Sequence, residues 1–253
     1  MKRPRITLFV IAKNEAHRIA SCILSARDIV SEVIVVDSNS TDKTALVCKE
    51  LGAQVYAREF DGFASQKNFA LSKVSGEWAL NLDADEQLSP KLREEILQAV
   101  THEDVAGYYL PFCNYFLGKK MRFSGLSKEK HLRLVRTKSA HYIGGLVHEG
   151  LEVNGHLETL KNPVNHFSYD TIENYFNKFN KYTSLAAQQM YQDGKRFCLL
   201  KVLLTLPFEF LKRYVLKLGV FDGIRGLLWA SFSTYYVYVK YAKLWQLEQQ
   251  EHK

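Results

Sequence analysis

The first hundred residues alternate short apolar runs with amphipathic stretches, and this alternation restricts the fold more than any other feature of the chain. Continuous apolar runs at 6–11 and 33–36 are typical of strands that are covered on both faces. Apolar residues recur with helical spacing over 19–30, and shorter runs predict strands at 54–57 and 77–82. Strands that alternate with helices predict an α/β fold, with a Rossmann-like, mostly parallel sheet flanked by helices.

The character of the chain changes after this part. From Gly107 to about His166, aromatic and β-branched residues mix with glycine and lysine turns, a pattern typical of antiparallel or irregular structure. From Thr171 onward the spacing of apolar residues is helical. We therefore expect an α/β domain over residues 1–170 and a C-terminal amphipathic helical region over residues 171–253.

Polar clusters follow three of the predicted strands. Asn14 and Glu15 follow the first strand, residues 37–42 follow the second, and residues 83–86 follow the fourth. In open α/β sheets, ligands bind beyond the carboxyl ends of the strands. The sequence therefore predicts a binding site at this edge of the sheet.

Asp83 and Asp85 are separated by one residue, directly after an apolar strand. Side chains two apart on an extended backbone point the same way, so both can face one cation. Mg²⁺ and Mn²⁺ prefer oxygen ligands and combine few carboxylates with substrate phosphates. The pair therefore predicts a metal-diphosphate site; the alternative is an acidic turn that caps the next helix.

Asp37 ends the second predicted strand, where its carboxylate can accept hydrogen bonds from a ribose hydroxyl or a base N–H. The alternative role is helix capping, which explains Thr41 or Asp42 better than Asp37. Lys67 and Asn68 lie on a predicted helix and belong either to the site or to a solvated helix face.

The charge and the cysteines restrict the partners and the compartment. A formal net charge of +7 favours an anionic partner, such as phosphate, nucleic acid or an acidic membrane, without choosing among them. The four cysteines form no C-x-x-C pair, which favours a reducing compartment. The apolar run after the basic N-terminus lacks a small-residue cleavage site, so a buried strand is expected there rather than a signal peptide.

Residues 197–245 are strongly apolar and aromatic, and they carry seven basic and two acidic residues, a net +5. The longest uncharged stretch, 226–239, is 14 residues. A spanning helix needs about 20 residues, so this segment is expected to lie on an anionic membrane surface rather than to cross it. The alternatives are a helical core element with a solvated basic face, or an oligomer interface.

The segments 6–15, 33–42, Gln66-Lys67-Asn68 and 82–86 form an ordered set of motifs in the first hundred residues. This set resembles the inverting family 2 glycosyltransferases. The later segments 133–136, 147–149, 165–169 and 221–226 extend the resemblance, and they resemble the bacterial branch of that family that includes the lipopolysaccharide inner-core β-glucosyltransferases.

This resemblance implies a GT-A catalytic domain over residues 1–170 and a nucleotide-sugar donor, expected to be a UDP-sugar. It also implies a bound Mg²⁺ or Mn²⁺. By position in the motifs, the residues expected to bind the donor are Asn14, Glu15, Asp37, Lys67 and Asp83. The expected metal ligands are Asp83, Asp85 and His166. The alternative for His166 is a structural role, in which its hydrogen bonds are satisfied within the protein.

Inversion by direct displacement needs a base that takes the proton from the acceptor hydroxyl. Glu149 is the expected base, with His148 beside it, and Glu86 is its rival. The alternative for His148 and Glu149 is a surface turn. Arg133 and Arg136 are expected to meet a phosphate of the donor or acceptor, or to form a plain surface pair.

The resulting prediction is an inverting hexosyltransferase that transfers a sugar, glucose by resemblance, to a lipopolysaccharide-core or other lipid-linked saccharide. It is expected at the inner face of the bacterial cytoplasmic membrane, with no nucleic-acid partner. A polyprenyl-phosphate sugar transferase is the nearest alternative. A sugar-phosphate nucleotidyltransferase would need a glycine-rich phosphate loop, and residues 12–16 contain no glycine. A non-catalytic adaptor would leave the acidic clusters unexplained.

Overall fold

A computed structural model describes residues 4–126, 129–144 and 149–251. Its helices are α1 (Ile19–Ala26), α2 (Thr44–Glu50), α3 (Phe63–Lys73), α4 (Pro90–Ala99), α5 (Ile172–Gln192), α6 (Leu199–Leu211) and α7 (Ile224–Glu251). Its strands are β1 (Ile6–Ala12), β2 (Glu32–Asp37), β3 (Gln54–Ala57), β4 (Trp78–Asn81), β5 (Glu86–Leu88), β6 (Val105–Phe116), β7 (Lys119–Lys120), β8 (Lys130–Arg136), β9 (Ala140–Gly144), β10 (Glu149–Val153), β11 (His156–Thr159) and β12 (Val164–Tyr169).

Four consecutive parallel strands form one end of the large sheet, in the order β3-β2-β1-β4. Alternate residues of these strands pack into two separate hydrophobic clusters, one on each face of the sheet. Leu8 and Val10 pack with the apolar faces of α1 and α4, whereas Phe9 packs with α3 on the other side. Because both faces of β1, β2 and β4 are covered, these three strands need continuous apolar runs. The predicted α/β class is confirmed.

The sheet continues beyond β4 through β8, β6, β12 and β5. The β4–β8, β8–β6 and β12–β5 pairs are antiparallel, and β11 adds a parallel pairing to β6. β9 and β10 form a separate antiparallel pair. The mixture of antiparallel and irregular structure expected after Gly107 is therefore present.

Local signals fix the ends of several helices. Ser89 caps α4 by accepting a hydrogen bond from Leu92 N (3.2 Å), and Pro90 takes the first helical position, where its missing N–H costs nothing. Gly52 follows α2 with φ +76°, a conformation that favours glycine.

The described residues divide into two compact units. One lies within 1–112 and 129–166, and the other within 113–128 and 167–253. In the second unit, α5 and α7 enclose an aromatic cluster that includes Phe116, Tyr175 and Trp229. The C-terminal helical region is confirmed, while the domain boundary at residue 170 stays a prediction. Within the described part of the chain, every helix is too short or too polar to cross a bilayer.

Candidate active site

The turn between β4 and β5 brings the acidic residues to the carboxyl end of β4. Ala84 and Asp85 form a turn rather than an extended segment. The expectation that Asp83 and Asp85 face one cation assumed an extended backbone, and that assumption is wrong. Each carboxylate instead has its own set of cationic neighbours.

Asp83 lies between two cations. Arg133 Nη2 donates to Asp83 Oδ2 over 2.8 Å, and Lys67 Nζ lies 3.5 Å from Oδ1. Burial acts to raise the pKa of Asp83, but the charges of Arg133 and Lys67 outweigh it and hold that pKa well below its usual range. Asp83 is therefore an anion whose side chain, 38% exposed, still reaches solvent.

Arg133 is buried and joins three acceptors. Its Nη1 donates to Asn81 Oδ1 (2.7 Å), and its Nη2 donates to both Asp83 and Glu86. Glu86 is 1% exposed, and its second oxygen accepts from Asp83 N over 3.0 Å. Burial, together with the charge of Asp83, raises the pKa of Glu86 to about 8 against the opposing pull of Arg133. Of the two carboxyls that share one guanidinium, the half-exposed Asp83 carries the charge more readily.

Asp85 has a different pair of neighbours. Its Oδ2 lies 3.6 Å from Arg18 Nη1, and its Oδ1 lies 3.5 Å from His166 Nε2. Residue 166 is directly opposite Glu86 in the β12–β5 ladder, which fixes its position beside the turn. Burial opposes protonation of His166, but its hydrogen bond with Asp85 and the acidic charges around it raise its pKa.

A cleft of about 460 Å³ opens over this cluster. Its lining mixes cations, two carboxyls and apolar side chains: Lys67, Asp83, Glu86, Tyr109, Phe112, Lys130, His131, Leu132, Arg133, Tyr142, Leu151 and His166. Arg133 also lies over the Phe112 ring, 5.6 Å from its centroid. A concave site with convergent charged groups suits an anionic ligand.

Asn14 and Glu15 lie in the loop after β1, Asp37 is the last residue of β2, and all three are outside the described lining of the cleft. Asn14 Oδ1 accepts from Thr41 N (2.8 Å), and Glu15 N donates to Thr44 Oγ1 (2.8 Å). Asp37 accepts from Ser40 N over 2.9 Å. The first two bonds join the loop after β1 to the segment after β2 at the predicted edge of the sheet, and the third holds Ser40 against the end of β2.

Two other predicted residues have structural contacts away from the cluster. Asn68 exchanges hydrogen bonds of 2.7 and 2.8 Å with the backbone of Tyr142, which ties α3 to β9. Arg136 donates to the carbonyls of Val105 (3.0 Å) and His102 (2.9 Å). Because it is three residues from Arg133 on one strand, it lies on the opposite face of the sheet.

Glu149 is the first residue of β10, paired with Gly144. Its side chain, and the whole of His148, lie outside the described residues. Leu151 on the same strand lines the cleft. The role of Glu149 as base stays a prediction.

Sequence reasoning missed Arg18 and Tyr142. Arg18 directly precedes α1 in the loop after β1, so the argument from strand ends could have found it. Tyr142 donates to Asn81 Oδ1 over 3.2 Å, and Lys67 Nζ lies 5.7 Å from its ring centroid. No local pattern marks Tyr142, because its place depends on a long-range pairing.

The chemistry of the cluster fits a divalent cation that also binds a ligand. Among the described residues, no three His, Cys, Asp or Glu side chains converge into a preformed metal shell. Asp85 Oδ1 and His166 Nε2, however, lie 3.5 Å apart. Adjacent ligands around Mg²⁺ are separated by about 3 Å, so only small side-chain shifts would be needed for both to bind one ion.

The family model described as "Glycosyl transferase family 2" matches residues 7–147 of this chain. A glycosyltransferase of Rickettsia typhi is 33% identical over 96% of this chain and 87% of its own length. The lipopolysaccharide core biosynthesis glycosyltransferase LpsC of Rhizobium meliloti is 31% identical over 95% of this chain and 92% of its own. A solved structure of glucosyl-3-phosphoglycerate synthase from Mycobacterium tuberculosis, in complex with Mn²⁺, UDP and glucosyl-3-phosphoglycerate, is 25% identical, covers 44% of each chain and has a TM-score of 0.37.

Proposed function

The chain belongs to glycosyl transferase family 2, and from that premise we propose the reaction it carries out. It is an inverting enzyme that transfers a sugar, glucose in our proposal, from a nucleotide diphosphate sugar to a lipopolysaccharide-core or other lipid-linked saccharide. The observation that carries the proposal is the acidic turn at the end of β4, which faces the cleft among cationic side chains. The name of the Rhizobium meliloti relative, which aligns over nearly the whole chain, supports the class of acceptor.

The net charge of the acidic turn and its cationic neighbours bears on how a diphosphate would bind. Asp83, Asp85 and Glu86 face the permanent cations Arg18, Lys67 and Arg133. With Glu86 protonated, which its raised pKa favours near neutral pH, the three cations and the two remaining carboxylates leave a net charge of only about +1. A diphosphate therefore needs further positive charge, which a divalent ion would supply. Lys67 and Arg133, which now pair with Asp83, can also interact with the phosphate oxygens of the ligand.

Asp85 and His166 are the residues that would hold the ion, with Asp83 beside them. When bound, Mg²⁺ or Mn²⁺ supplies charge neutralisation for the departing nucleoside diphosphate. The protein's own part is to fix the acidic turn. Arg133 holds it from β8, Glu86 holds it from the first position of β5, and Arg18 holds it from the residue before α1. Asn14, Glu15 and Asp37 would receive the nucleoside at the adjoining loops.

Glu149 is the base in this proposal. The strand that carries it borders the cleft at Leu151 and pairs with the strand of Tyr142, which also lines it. Glu86 is the poorer candidate because it is buried and both of its oxygens already accept hydrogen bonds, from Arg133 and from Asp83 N. Glu149 would take the acceptor proton as the sugar passes through its oxocarbenium-like state.

The acceptor places the enzyme at a membrane in this proposal. A lipid-linked saccharide is presented at the surface of a bilayer, and the basic C-terminal region would hold the chain at the inner face of the bacterial cytoplasmic membrane.

A panel of nucleotide sugars tests the donor. Thermal stabilisation of the full chain by each sugar nucleotide, with and without Mn²⁺, should select one donor, because a ligand that binds only the folded state raises its stability. Transfer of radiolabelled sugar from that donor should be lost in Asp85→Ala, while the far-UV circular dichroism spectrum stays unchanged. Full activity of this variant would contradict the site.

The acceptor is tested separately. Truncated lipopolysaccharide cores and a polyprenyl phosphate are offered with the selected donor. Transfer to the core saccharide supports the proposal, whereas transfer to the polyprenyl phosphate alone would replace it with the polyprenyl-phosphate sugar transferase.

A further inference from the structure

Helix α6 presents its apolar side to solvent. Leu200, Leu204 and Phe208 follow one another at four-residue spacing and are 65%, 65% and 58% exposed. The side that packs against the protein includes Val202 and a glutamate, Glu209, which is 9% exposed. An amphipathic helix on the surface of a water-soluble protein has the opposite arrangement, with its apolar side facing the core.

The exposure continues through the turns that follow α6 to the start of α7. Of the 21 large hydrophobic residues exposed in the described part of the chain, 12 lie within residues 199–224. We call this segment the apolar ledge. Its most exposed members after the helix are Leu216 at 67%, Phe221 at 69% and Ile224 at 62%. Exposed apolar side chains that are concentrated in one segment in this way mark an interaction site.

The charge on the ledge is basic. Its two acidic residues are engaged within the unit: Glu209 with Lys212 (3.3 Å) and Arg213 (2.6 Å), and Asp222 with the backbone N–H groups of residues 122 and 123. Lys201 and Lys217 are exposed beside the leucines. The ledge therefore offers exposed apolar side chains with cations among them and no exposed acid.

We propose that the apolar ledge is a shallow insertion surface for an anionic lipid bilayer. Apolar side chains enter the acyl boundary while lysines reach the headgroups, as expected for a helix that lies in the plane of the interface. α6 has 13 residues and is therefore about 20 Å long, which is too short to span the membrane but sufficient to lie along it.

A second copy of the chain is the less suitable occupant. A two-fold interface brings the same patch of both copies together, so that cations would face cations with no acid to pair them. Anionic headgroups satisfy the same charges. The inference builds on the membrane location in the proposed function, but it requires neither the donor nor the chemistry proposed there.

Vesicle flotation of the full chain tests the ledge. Vesicles of phosphatidylcholine with phosphatidylglycerol should bind the protein, and vesicles of phosphatidylcholine alone should bind it at least about tenfold less. The double variant Leu200→Ser/Leu204→Ser should lose at least about tenfold in partition to the anionic vesicles. Its matched control is Leu24→Ser/Leu46→Ser, which removes two leucines of similar exposure, 54% and 53%, from α1 and α2 and should bind as the wild type does.

A fluorescent label gives a second measurement. Cys198 is exposed at the start of α6, whereas the other three cysteines are buried. A bimane attached to Cys198 should shift its emission to shorter wavelength when anionic vesicles are added. An unshifted emission, or equal flotation of the Leu200→Ser/Leu204→Ser variant and the wild type, would overturn the proposal.

Sedimentation and activity separate the remaining outcomes. If the wild type dimerises without lipid and the Leu200→Ser/Leu204→Ser variant is monomeric, the ledge is an interface between copies and the proposal is wrong. Metal-dependent binding of the nucleotide sugar should be equal in both proteins. Flotation without any transfer activity would contradict the proposed function alone, and transfer without flotation would contradict the ledge alone.

Discussion

Arg133 Nη2 donates to Asp83 Oδ2 over 2.8 Å. This bond joins β8, an antiparallel strand, to the turn that follows the parallel strand β4. The first residue of the acidic pair is thereby held from a segment that lies 50 positions later in the chain. The geometry of the proposed donor site depends on that contact.

Arg133→Met should therefore affect both stability and donor binding. It removes the cation of the buried Arg133–Glu86 pair and one of the two cations beside the partly exposed Asp83, and removal of one partner of a buried ion pair costs about 3–5 kcal/mol in the free energy of unfolding. Urea denaturation measures this loss, and donor affinity should fall with it. Arg136→Lys is the control: its arginine bonds backbone carbonyls on the other face of the sheet, so donor affinity should stay the same. Unchanged donor affinity in Arg133→Met would contradict the role given to this residue.

Much of the fold could be predicted because strand and helix periods are local. The strand at 54–57 and the helix that begins at Ile19 lie where the sequence predicts them. The identity of strand neighbours beyond β4 could not be predicted. Antiparallel partners such as Leu80 and Leu134 are far apart in the chain and carry no turn signal between them.

The candidate site shows the same division. Asp83 and Asp85 could be placed at the sheet edge, since the carboxyl end of an apolar strand is visible in the sequence. Their separate partners could not, because Arg18 and His166 reach Asp85 from two different segments. The extended-strand argument failed because the backbone turns at Ala84 and Asp85.

His166→Gln should weaken binding of Mn²⁺ in the presence of the nucleotide by at least about tenfold. Isothermal titration of the metal measures it. The chain offers a matched control in His156, whose Nε2 lies 3.5 Å from Glu158 Oε1, the same separation as between His166 and Asp85. The His156 pair is on the exposed surface, and His156→Gln should leave the affinity for Mn²⁺ unchanged. Equal affinities in all three proteins would remove His166 from the proposed metal ligands.

Glu149→Gln should lower kcat by roughly 10²–10⁴-fold with little change in the KM for the donor, because a general base acts in the transition state and not in donor binding. Glu152→Gln, an exposed residue on the same strand, is the control and should keep its turnover. Initial rates at saturating acceptor decide between them. Near-normal turnover of Glu149→Gln would show that another group takes the proton from the acceptor hydroxyl.

Thiol labelling should distinguish Cys198 from the other cysteines. Burial raises the pKa of Cys48 to about 12, and burial with the nearby acidic turn raises the pKa of Cys22 well above its usual range. Since the thiolate is the reactive form, these two thiols should stay inert at pH 8, as should the buried Cys113. Ellman's reagent should then titrate one thiol in the native chain and four in urea. A second rapidly reacting thiol, or one that persists in Cys198→Ser, would contradict this packing.

Any residue larger than glycine at position 226 should lower the stability of the chain. A Cβ atom at this position would lie 1.8 Å from the carbonyl oxygen of Gly219, so the start of α7 can approach the preceding turn only without a side chain. Gly226→Ala must displace that turn, which also carries Asp222 and its bonds to residues 122 and 123. Overpacking of this kind costs about 1–3 kcal/mol, a fall in Tm of roughly 2–12 °C for a chain of this size. Thermal circular dichroism measures the fall, and Ser231→Ala, exposed on the same helix, should melt within about 1 °C of the wild type. A Gly226→Ala protein with the wild-type Tm would show that the turn and the helix are less closely packed than the backbone contact requires.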